Sequence, residues 1–420
     1  MVRALSRNPL LRAFSSISRA FAAYIALEPD PKLVIAAQAF VSIAVNAQSV
    51  ILAIYLSKAG YSEIDIGLIL TVSPIVTTLM LLPGGMIADA VGRKKISALG
   101  LALGAVSLAG YIYPVNLYYL FVISGIGGLG SALYGGSVTA LLADSAPTPE
   151  KRNLVFSIAA SITTLTGIIG FLAGGVPNIL RTYGFGETAS YYPIFILSSG
   201  SLAIASILML MLKVGEHNPG GGSRALLKLP TKSYNVILKS TLYVGMLFMG
   251  AGLLAPSLLS LWLYKRFSVE EGLISIPYAI SQAILGISFL ASPAIAKRFG
   301  TIGTVVLTQS IAAAMLASIP LIPSFLAVSV IYMAMRILIN IPSPIIRSFI
   351  LGLVDPSERA SASSILALTT GLSGAAMPAV TGFLMSKVSL ESPFYLASSI
   401  ILASVLTFYV LFKQYESEVR

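Results

Sequence analysis

Long apolar runs alternate with short polar intervals along almost the whole chain. The runs continue for about 20 residues, which is the length that an α-helix needs to cross a bilayer. They lack the alternation of period two that marks the strands of a membrane β-barrel, so they predict membrane-spanning helices. The pattern contains twelve runs, numbered spans 1 to 12: Leu33–Leu56, Ile66–Ala88, Ile96–Tyr113, Leu117–Ala143, Leu154–Pro177, Tyr191–Leu212, Val236–Leu263, Gly272–Ala296, Ile302–Pro320, Phe325–Leu351, Ala360–Met385 and Pro393–Phe412.

Composition supports a membrane protein and excludes several kinds of chemistry. Hydrophobic residues make up 56% of the chain and charged residues 10%, a balance that could not cover the surface of a soluble globule. Cysteine is absent, which rules out disulfides, thiolate metal sites and cysteine nucleophiles. The one histidine, His217, lies in a polar interval. We therefore expect no enzyme, no metal site and no cofactor.

The basic residues are concentrated on one side of the predicted membrane. With the N-terminus placed in the cytoplasm, 21 of the 27 Lys and Arg residues fall on the cytoplasmic side and 5 fall in the outer loops. This bias is typical of membrane proteins and accounts for the net charge of +11 without a nucleic-acid site. We expect a monomeric, multi-pass protein of the cell membrane with both termini cytoplasmic, whose partners are lipid and a small-molecule substrate.

The longest polar interval between spans divides the chain into two blocks of six spans. It runs from Lys213 to Asn235 and contains Gly220-Gly221-Gly222, as a flexible linker would. Before span 1, arginines alternate with apolar residues, which indicates an amphipathic segment on the inner leaflet; a mitochondrial transit peptide has the same composition. The predicted units are a cytoplasmic amphipathic segment (1–32), an N-terminal six-helix bundle (33–212), a cytoplasmic central loop (213–235), a C-terminal six-helix bundle (236–413) and a cytoplasmic tail (414–420).

The two blocks share turn chemistry. Ser62-Glu63-Ile64-Asp65 precedes span 2 and Ser268-Val269-Glu270-Glu271 precedes span 8, and each has the pattern of a capping box. Gly92 follows span 2 as Gly300 follows span 8. Correspondences at a nearly constant offset predict a duplicated six-helix unit.

The interval after span 2 carries a short motif. Gly85, Asp89, Gly92 and Arg93 are spaced as Gly-x-x-x-Asp-x-x-Gly-Arg. This spacing resembles the cytoplasmic signature of the major facilitator superfamily of secondary transporters, with Ala90 where that family usually carries Arg or Lys. The resemblance implies an all-α membrane protein with twelve transmembrane helices in two pseudo-symmetric six-helix bundles, which transports its solute by alternating access.

The same resemblance implies a conformational latch on the cytoplasmic side. Its residues would be Gly85, Asp89, Gly92, Arg93 and Asp144. In the family pattern, Asp89 faces the start of span 11 and holds the two halves together, while Arg93 pairs with Asp144 at the end of span 4. The alternative interpretation is that these charges only solvate short loops.

Arg336 is the residue that most directly suggests a substrate. It lies near the middle of span 10, where inserting an arginine costs roughly 2.5 to 3.5 kcal/mol. None of the predicted spans contains Asp or Glu, so a substrate anion could be the partner of this charge. The alternative partners are backbone carbonyls freed by Pro342 and Pro344.

Five further polar residues are candidates for the same site. Tyr332 and Asn340 share one face of span 10 with Arg336. Asn46, Tyr134 and Gln282 lie on spans that, by the resemblance, line the central cavity. Each of them could instead make an ordinary hydrogen bond between helices.

We therefore expect a secondary active or facilitative transporter of a small organic solute, with Arg336 favouring an anion. One alternative is a multidrug or other proton-coupled efflux antiporter, because the sequence from Gly170 to Gly175 partly resembles the helix-five motif of facilitator antiporters. Small residues at this spacing also let helices pack closely. The alternative from another class is a transport-dead membrane sensor.

Overall fold

The computed structural model describes residues 24–415 apart from residues 26, 147 and 214–230. By length and composition alone, ten of its helical segments could cross a membrane. Spans 3 and 8 fall outside that criterion. The helix of span 3, Arg93–Gly110, has only 18 residues, and they include Arg93, Lys94 and Lys95. Most of the predicted N-terminal segment, most of the central loop and residues 416–420 lie outside the described residues, so the division into units stays a prediction.

The first half contains spans 1 to 6, which pack on one another. Tyr55 of span 1 meets Phe195 of span 6 edge to face, with ring centroids 5.0 Å apart, in the core of this half. The helices are Pro29–Lys58, Glu63–Val91, Arg93–Gly110, Leu117–Asp144, Pro149–Ala173 with Val176–Thr182, and Tyr192–Leu210 after a short 3-10 turn at Ala189–Tyr191.

The second half contains spans 7 to 12. Tyr243 of span 7 packs on Phe408 of span 12 at 4.6 Å between ring centroids. The helices are Tyr234–Leu253 with Pro256–Phe267, Glu271–Ser318 for spans 8 and 9, Phe325–Asn340 with Ser343–Leu353, Arg359–Ala375 with Met377–Lys387, and Ser392–Phe412, with short 3-10 turns at Ile319–Leu321 and Lys413–Tyr415.

Spans 5, 7, 10 and 11 are each broken into two helical segments, whereas the apolar pattern predicts one helix each. In every case the second segment has a proline at its first or second position: Pro177, Pro256, Pro344 and Pro378. Proline lacks the N–H that a continuous helix would need at that point, but it fits the first turn of a new helix.

The repeat is visible in the backbone of the turns. Gly92 has φ 115° and Gly300 has φ 73°, so both occupy the region that favours glycine, and spans 8 and 9 meet at Gly300. The first predicted capping box is confirmed, because Ser62 accepts from the Asp65 N–H and Asp65 accepts from the Ser62 N–H. The second is wrong: the helix that contains span 8 begins at Glu271, one residue before the predicted span, without a side-chain cap.

The two halves contact each other closely at the end of the molecule where spans 2 and 8 begin. A Cβ atom on Gly67 would lie 2.5 Å from the carbonyl oxygen of Pro378, so spans 2 and 11 touch backbone to backbone. Thr71 of span 2 accepts a hydrogen bond of 2.8 Å from the N–H of Ala379. We call this end the Glu271 end and the opposite one the Arg93 end.

Candidate functional site

Arg336 contacts residues of both halves. Its Nη1 donates to Ser281 Oγ at 3.0 Å and its Nη2 to Gln282 Oε1 at 3.3 Å, both on span 8. The guanidinium also lies over the ring of Phe171 of span 5 in the first half, with Cζ 5.8 Å from the ring centroid. Within the described part of the chain, no carboxylate forms an ion pair with it. The cation is therefore held by neutral groups, and a guanidinium carries more donors than these two bonds use.

An aromatic row lies beside this guanidinium. Phe171 stacks on Tyr278 of span 8 at 5.4 Å, and Tyr278 meets Tyr332 of span 10 edge to face at 5.5 Å. The Tyr278 hydroxyl donates to the Pro256 carbonyl at 2.9 Å, which ties the row to the break in span 7. Tyr332, predicted as a site residue, thus stands one helical turn from Arg336 within the row.

Asn46 and Gln282 come close to each other at Gly167 of span 5. A Cβ atom on Gly167 would lie 3.1 Å from Asn46 Nδ2 and 3.5 Å from Gln282 Nε2. Any larger residue there would occupy the space between spans 1 and 8. The structure therefore brings Asn46, Gln282 and Arg336 into one polar region at the interface between the halves.

The other two predicted site residues are less directly connected to that region. Asn340 donates its Nδ2 to the Arg336 carbonyl at 2.8 Å, within its own helix. Tyr134 lies on span 4, where its backbone packs on Gly100 of span 3. Among the described residues, Tyr134 shows no hydrogen bond to Arg336.

The predicted latch residues form a compact group at the Arg93 end. Arg93 donates from Nε to Asp89 and from Nη1 to Asp144, each at 2.8 Å. Gly85 lies against Gly136 of span 4, since a Cβ atom on Gly136 would be 3.5 Å from the Gly85 Cα. These contacts join spans 2, 3 and 4 inside the first half, whereas the family pattern expects Asp89 to face span 11.

A buried ionic group at the Glu271 end was not predicted from the sequence. Glu271 is 0% exposed and accepts hydrogen bonds from Tyr191 and Arg181 of the first half. Lys58, at the end of span 1, places Nζ 3.5 Å from Glu271 and 2.9 Å from Glu187. We name this group the Glu271 cluster, and its members are Lys58, Arg181, Glu187, Tyr191, Glu270 and Glu271.

The Glu271 cluster joins the two halves electrostatically. Burial alone would raise the pKa of the Glu271 carboxyl, but the hydrogen bonds from Tyr191 and Arg181 and the charge of Lys58 outweigh it, so this pKa lies below its ordinary 4.5. A second ion pair between the halves, from Lys265 to Glu63, stands at the same end. The signal available in the sequence was the adjacent pair Glu270-Glu271, read there as a helix cap.

The sequence motifs, the fold and the repeat agree with one family. A family model described as the Major Facilitator Superfamily matches residues 34–343, which is most of the chain. The chain belongs to the major facilitator superfamily. The family and its two pseudo-symmetric six-helix bundles, both predicted from the sequence, are thereby confirmed, and the chain is a multi-pass membrane protein.

Curated relatives and solved structures resemble the chain to different extents. The quinolone resistance protein NorA of Staphylococcus aureus is 26% identical over 170 residues, which are 40% of this chain and 40% of NorA. The nucleoside transporter NupG is 16% identical, with a TM-score of 0.73 over 91% of this chain and 99% of NupG. A bacterial homologue of the human lysosomal transporter Spinster, solved in an inward-facing, unoccupied conformation, is 15% identical, with a TM-score of 0.69 over 93% of this chain and 97% of that one. At these identities the two structures show the fold alone.

Proposed function

We propose that this protein moves a small organic anion across the cell membrane by alternating access, as a secondary active or facilitative transporter. The observation that carries the proposal is the surroundings of Arg336. Its partners Ser281, Gln282 and Phe171 are all uncharged, and they come from both halves of the molecule. A substrate anion would supply the missing negative charge in a region of low dielectric constant, where a charge-assisted hydrogen bond is strong.

Alternating access requires that the halves separate at one end while they meet at the other. The Glu271 cluster and the pair Lys265–Glu63 support a state that is closed at the Glu271 end. Most basic residues lie towards the Arg93 end. We therefore assign that end and both termini to the cytoplasm. In the opposite state, the Glu271 end opens and the latch residues Gly85, Asp89, Gly92, Arg93 and Asp144 stabilise the closed cytoplasmic end.

The test is uptake by purified protein in liposomes. Arg336→Gln should abolish uptake of the anion and leave chromatographic behaviour and thermal unfolding unchanged, because glutamine keeps hydrogen bonding but removes the charge. Arg266→Gln, which removes an exposed arginine at the end of span 7, is the matched control and should transport normally. Normal uptake by Arg336→Gln would remove Arg336 from the substrate site.

Efflux of drugs, with or without proton coupling, is the second candidate. It is favoured by the likeness to NorA, whose name records quinolone resistance, and by the aromatic row of Phe171, Tyr278 and Tyr332. Competition of organic anions and cationic dyes for the same uptake separates the two candidates. A transport-dead sensor would bind a ligand in this assay without any flux.

A further inference from the structure

A cavity of about 170 Å³ lies inside the second half and reaches Arg336. Span 10 presents Tyr332, Met335, Arg336 and Ile339 to it, at steps of three and four residues that place them on one face of the helix. The remaining wall is formed by apolar residues of spans 7, 9 and 12, which include Leu254, Leu316, Ile319, Phe394 and Ile401.

The size and lining of this cavity indicate what it could hold. Phe394 and Ile319 are fully buried and Leu316 nearly so, which makes the wall apolar at depth. A cavity of roughly 150 Å³ lined by Leu, Ile and Phe stays dry and binds benzene. The cavity beside Arg336 is of similar size and lining, but it has one guanidinium at its edge. Ligand sites of this kind combine an apolar wall with a few placed polar groups.

We propose that this cavity receives the apolar body of the transported solute while Arg336 binds its anionic group, so that the substrate is an organic anion carrying one benzene-sized apolar group. The assignment rests on the proposed function, because it uses the same arginine. It also has a mechanical consequence. The cavity is lined by second-half residues only, so the apolar body stays with that half while the first half, through Phe171 and Asn46, approaches or leaves the anionic group.

Three probes separate the two parts of the site: benzoate has the ring and the charge, benzamide has the ring alone, and acetate has the charge alone. Binding to the purified full-length protein is measured by titration calorimetry. Benzoate should bind at least about tenfold more tightly than either of the other two, because only benzoate uses both the cavity and Arg336. Equal binding of benzoate and acetate, or no binding of benzoate, would overturn the proposal.

Two variants test the cavity directly. Ala251→Phe places a ring in the cavity and should remove the advantage of benzoate over acetate, without weakening acetate itself. Ala203→Phe adds the same ring on the exposed face of span 6 and should behave as the unmodified protein. Ile339→Ala enlarges the cavity and should shift the binding preference from benzoate towards 2-naphthoate. This variant tests the cavity even if Ala251→Phe fails to fold.

The same measurements distinguish a failure of the cavity from a failure of the proposed function. Wild-type affinity of Ala251→Phe for benzoate would overturn the cavity assignment, and the role of Arg336 would stand. Wild-type affinity of Arg336→Gln for both benzoate and acetate would overturn the anion site itself, and the cavity assignment with it.

Discussion

Glu271 holds charges of the other half in place. The side chains of Lys58 and Arg181 are only 8% and 11% exposed. Among the described residues, Arg181 pairs with carboxylates of the second half alone, and Lys58 pairs with Glu271 as well as with the exposed Glu187 of the first half. Removing one partner of a buried ion pair costs roughly 3 to 5 kcal/mol, because the other charge stays buried without compensation. Here that cost falls on the state that is closed at the Glu271 end, since opening exposes the cations to water.

Glu271→Gln should therefore shift the protein towards the state that is open at this end. Spin labels at Tyr183→Cys and Arg266→Cys, which are exposed on opposite halves, should report a longer distance in Glu271→Gln than in the parent. The natural chain has no cysteine, so both labels are site-specific. Glu391→Gln removes an acid before span 12 and should leave the distance unchanged. An unchanged distance in Glu271→Gln would show that the cluster does not control opening.

Lowering the pH should weaken the contact of Glu271 with Lys58 and Arg181. The pKa of Glu271 is lowered in the closed state, so its ionised form stabilises that state fully above its ordinary 4.5, and the stabilisation is lost as pH falls through the lowered pKa. The spin-label distance should stay constant from about pH 7 to pH 5 and lengthen below roughly pH 4.5. In Glu271→Gln the distance should be long at every pH, and an equal acid response in that variant would assign the titration to another group.

At the scale of helices and turns, the sequence predicted contacts between residues a few positions apart but not contacts between residues far apart in the chain. The box at Ser62 and Asp65 closes within four residues, so its sequence pattern is sufficient. The similar pattern at Ser268 fails because the helix begins with Glu270, not Ser268, at the cap position, and Glu271 is bound instead by Arg181 and Lys58 of the other half. The effect of a proline was not predictable from the sequence either. Pro83 stays inside the helix Glu63–Val91, while other prolines start new helical segments.

The contact between spans 2 and 11 yields a prediction at this scale. A Cβ atom on Gly382 would lie 3.0 Å from the Gly67 Cα and would also meet the Glu63 carbonyl, so the two backbones leave no room for a methyl group. Gly382→Ala should separate these spans at a cost of about 1 to 3 kcal/mol, which favours the state open at the Glu271 end by roughly 5- to 150-fold. The spin-label distance across this end measures the shift.

Gly200→Ala is the matched control for that substitution. Gly200 also lies within a helix, but nothing stands within 4 Å of the position its Cβ would take. It should therefore leave the distance unchanged and stabilise its helix by about 1 kcal/mol. Should Gly382→Ala behave in the same way, spans 2 and 11 would have enough freedom to absorb the methyl group without opening.

At the scale of the whole molecule, the sequence predicted which residues could form a site but not how they meet. The mid-span position of Arg336 was evident from its apolar surroundings, and Gln282 does accept a hydrogen bond from it through its side-chain oxygen. Tyr134 stands on span 4 without such a contact among the described residues, because spacing along a helix does not fix the rotation of that helix within a bundle. The Glu271 cluster combines residues from four separate stretches, which only the assembled halves bring together.

Locking the Glu271 end tests the motion of the two halves. Glu63 and Lys265 form an ion pair across the interface, so Glu63→Cys with Lys265→Cys places two thiols at the same contact in a chain that has no other cysteine. A short reversible bis-methanethiosulfonate linker can bridge them where the backbone separation is too large for a disulfide. Uptake should be normal before linking, lost after linking and restored by a reductant, because alternating access requires this end to open.

The control for the linker lies within one half. Glu28 and Lys151 form an ion pair of 3.0 Å inside the first half, and Glu28→Cys with Lys151→Cys accepts the same linker without joining the halves. Uptake by this pair should survive linking. If the linked pair at Glu63 and Lys265 also transports at the unlinked rate, then solute crosses while the Glu271 end stays closed, and a rocking motion of two rigid halves is not how this protein works.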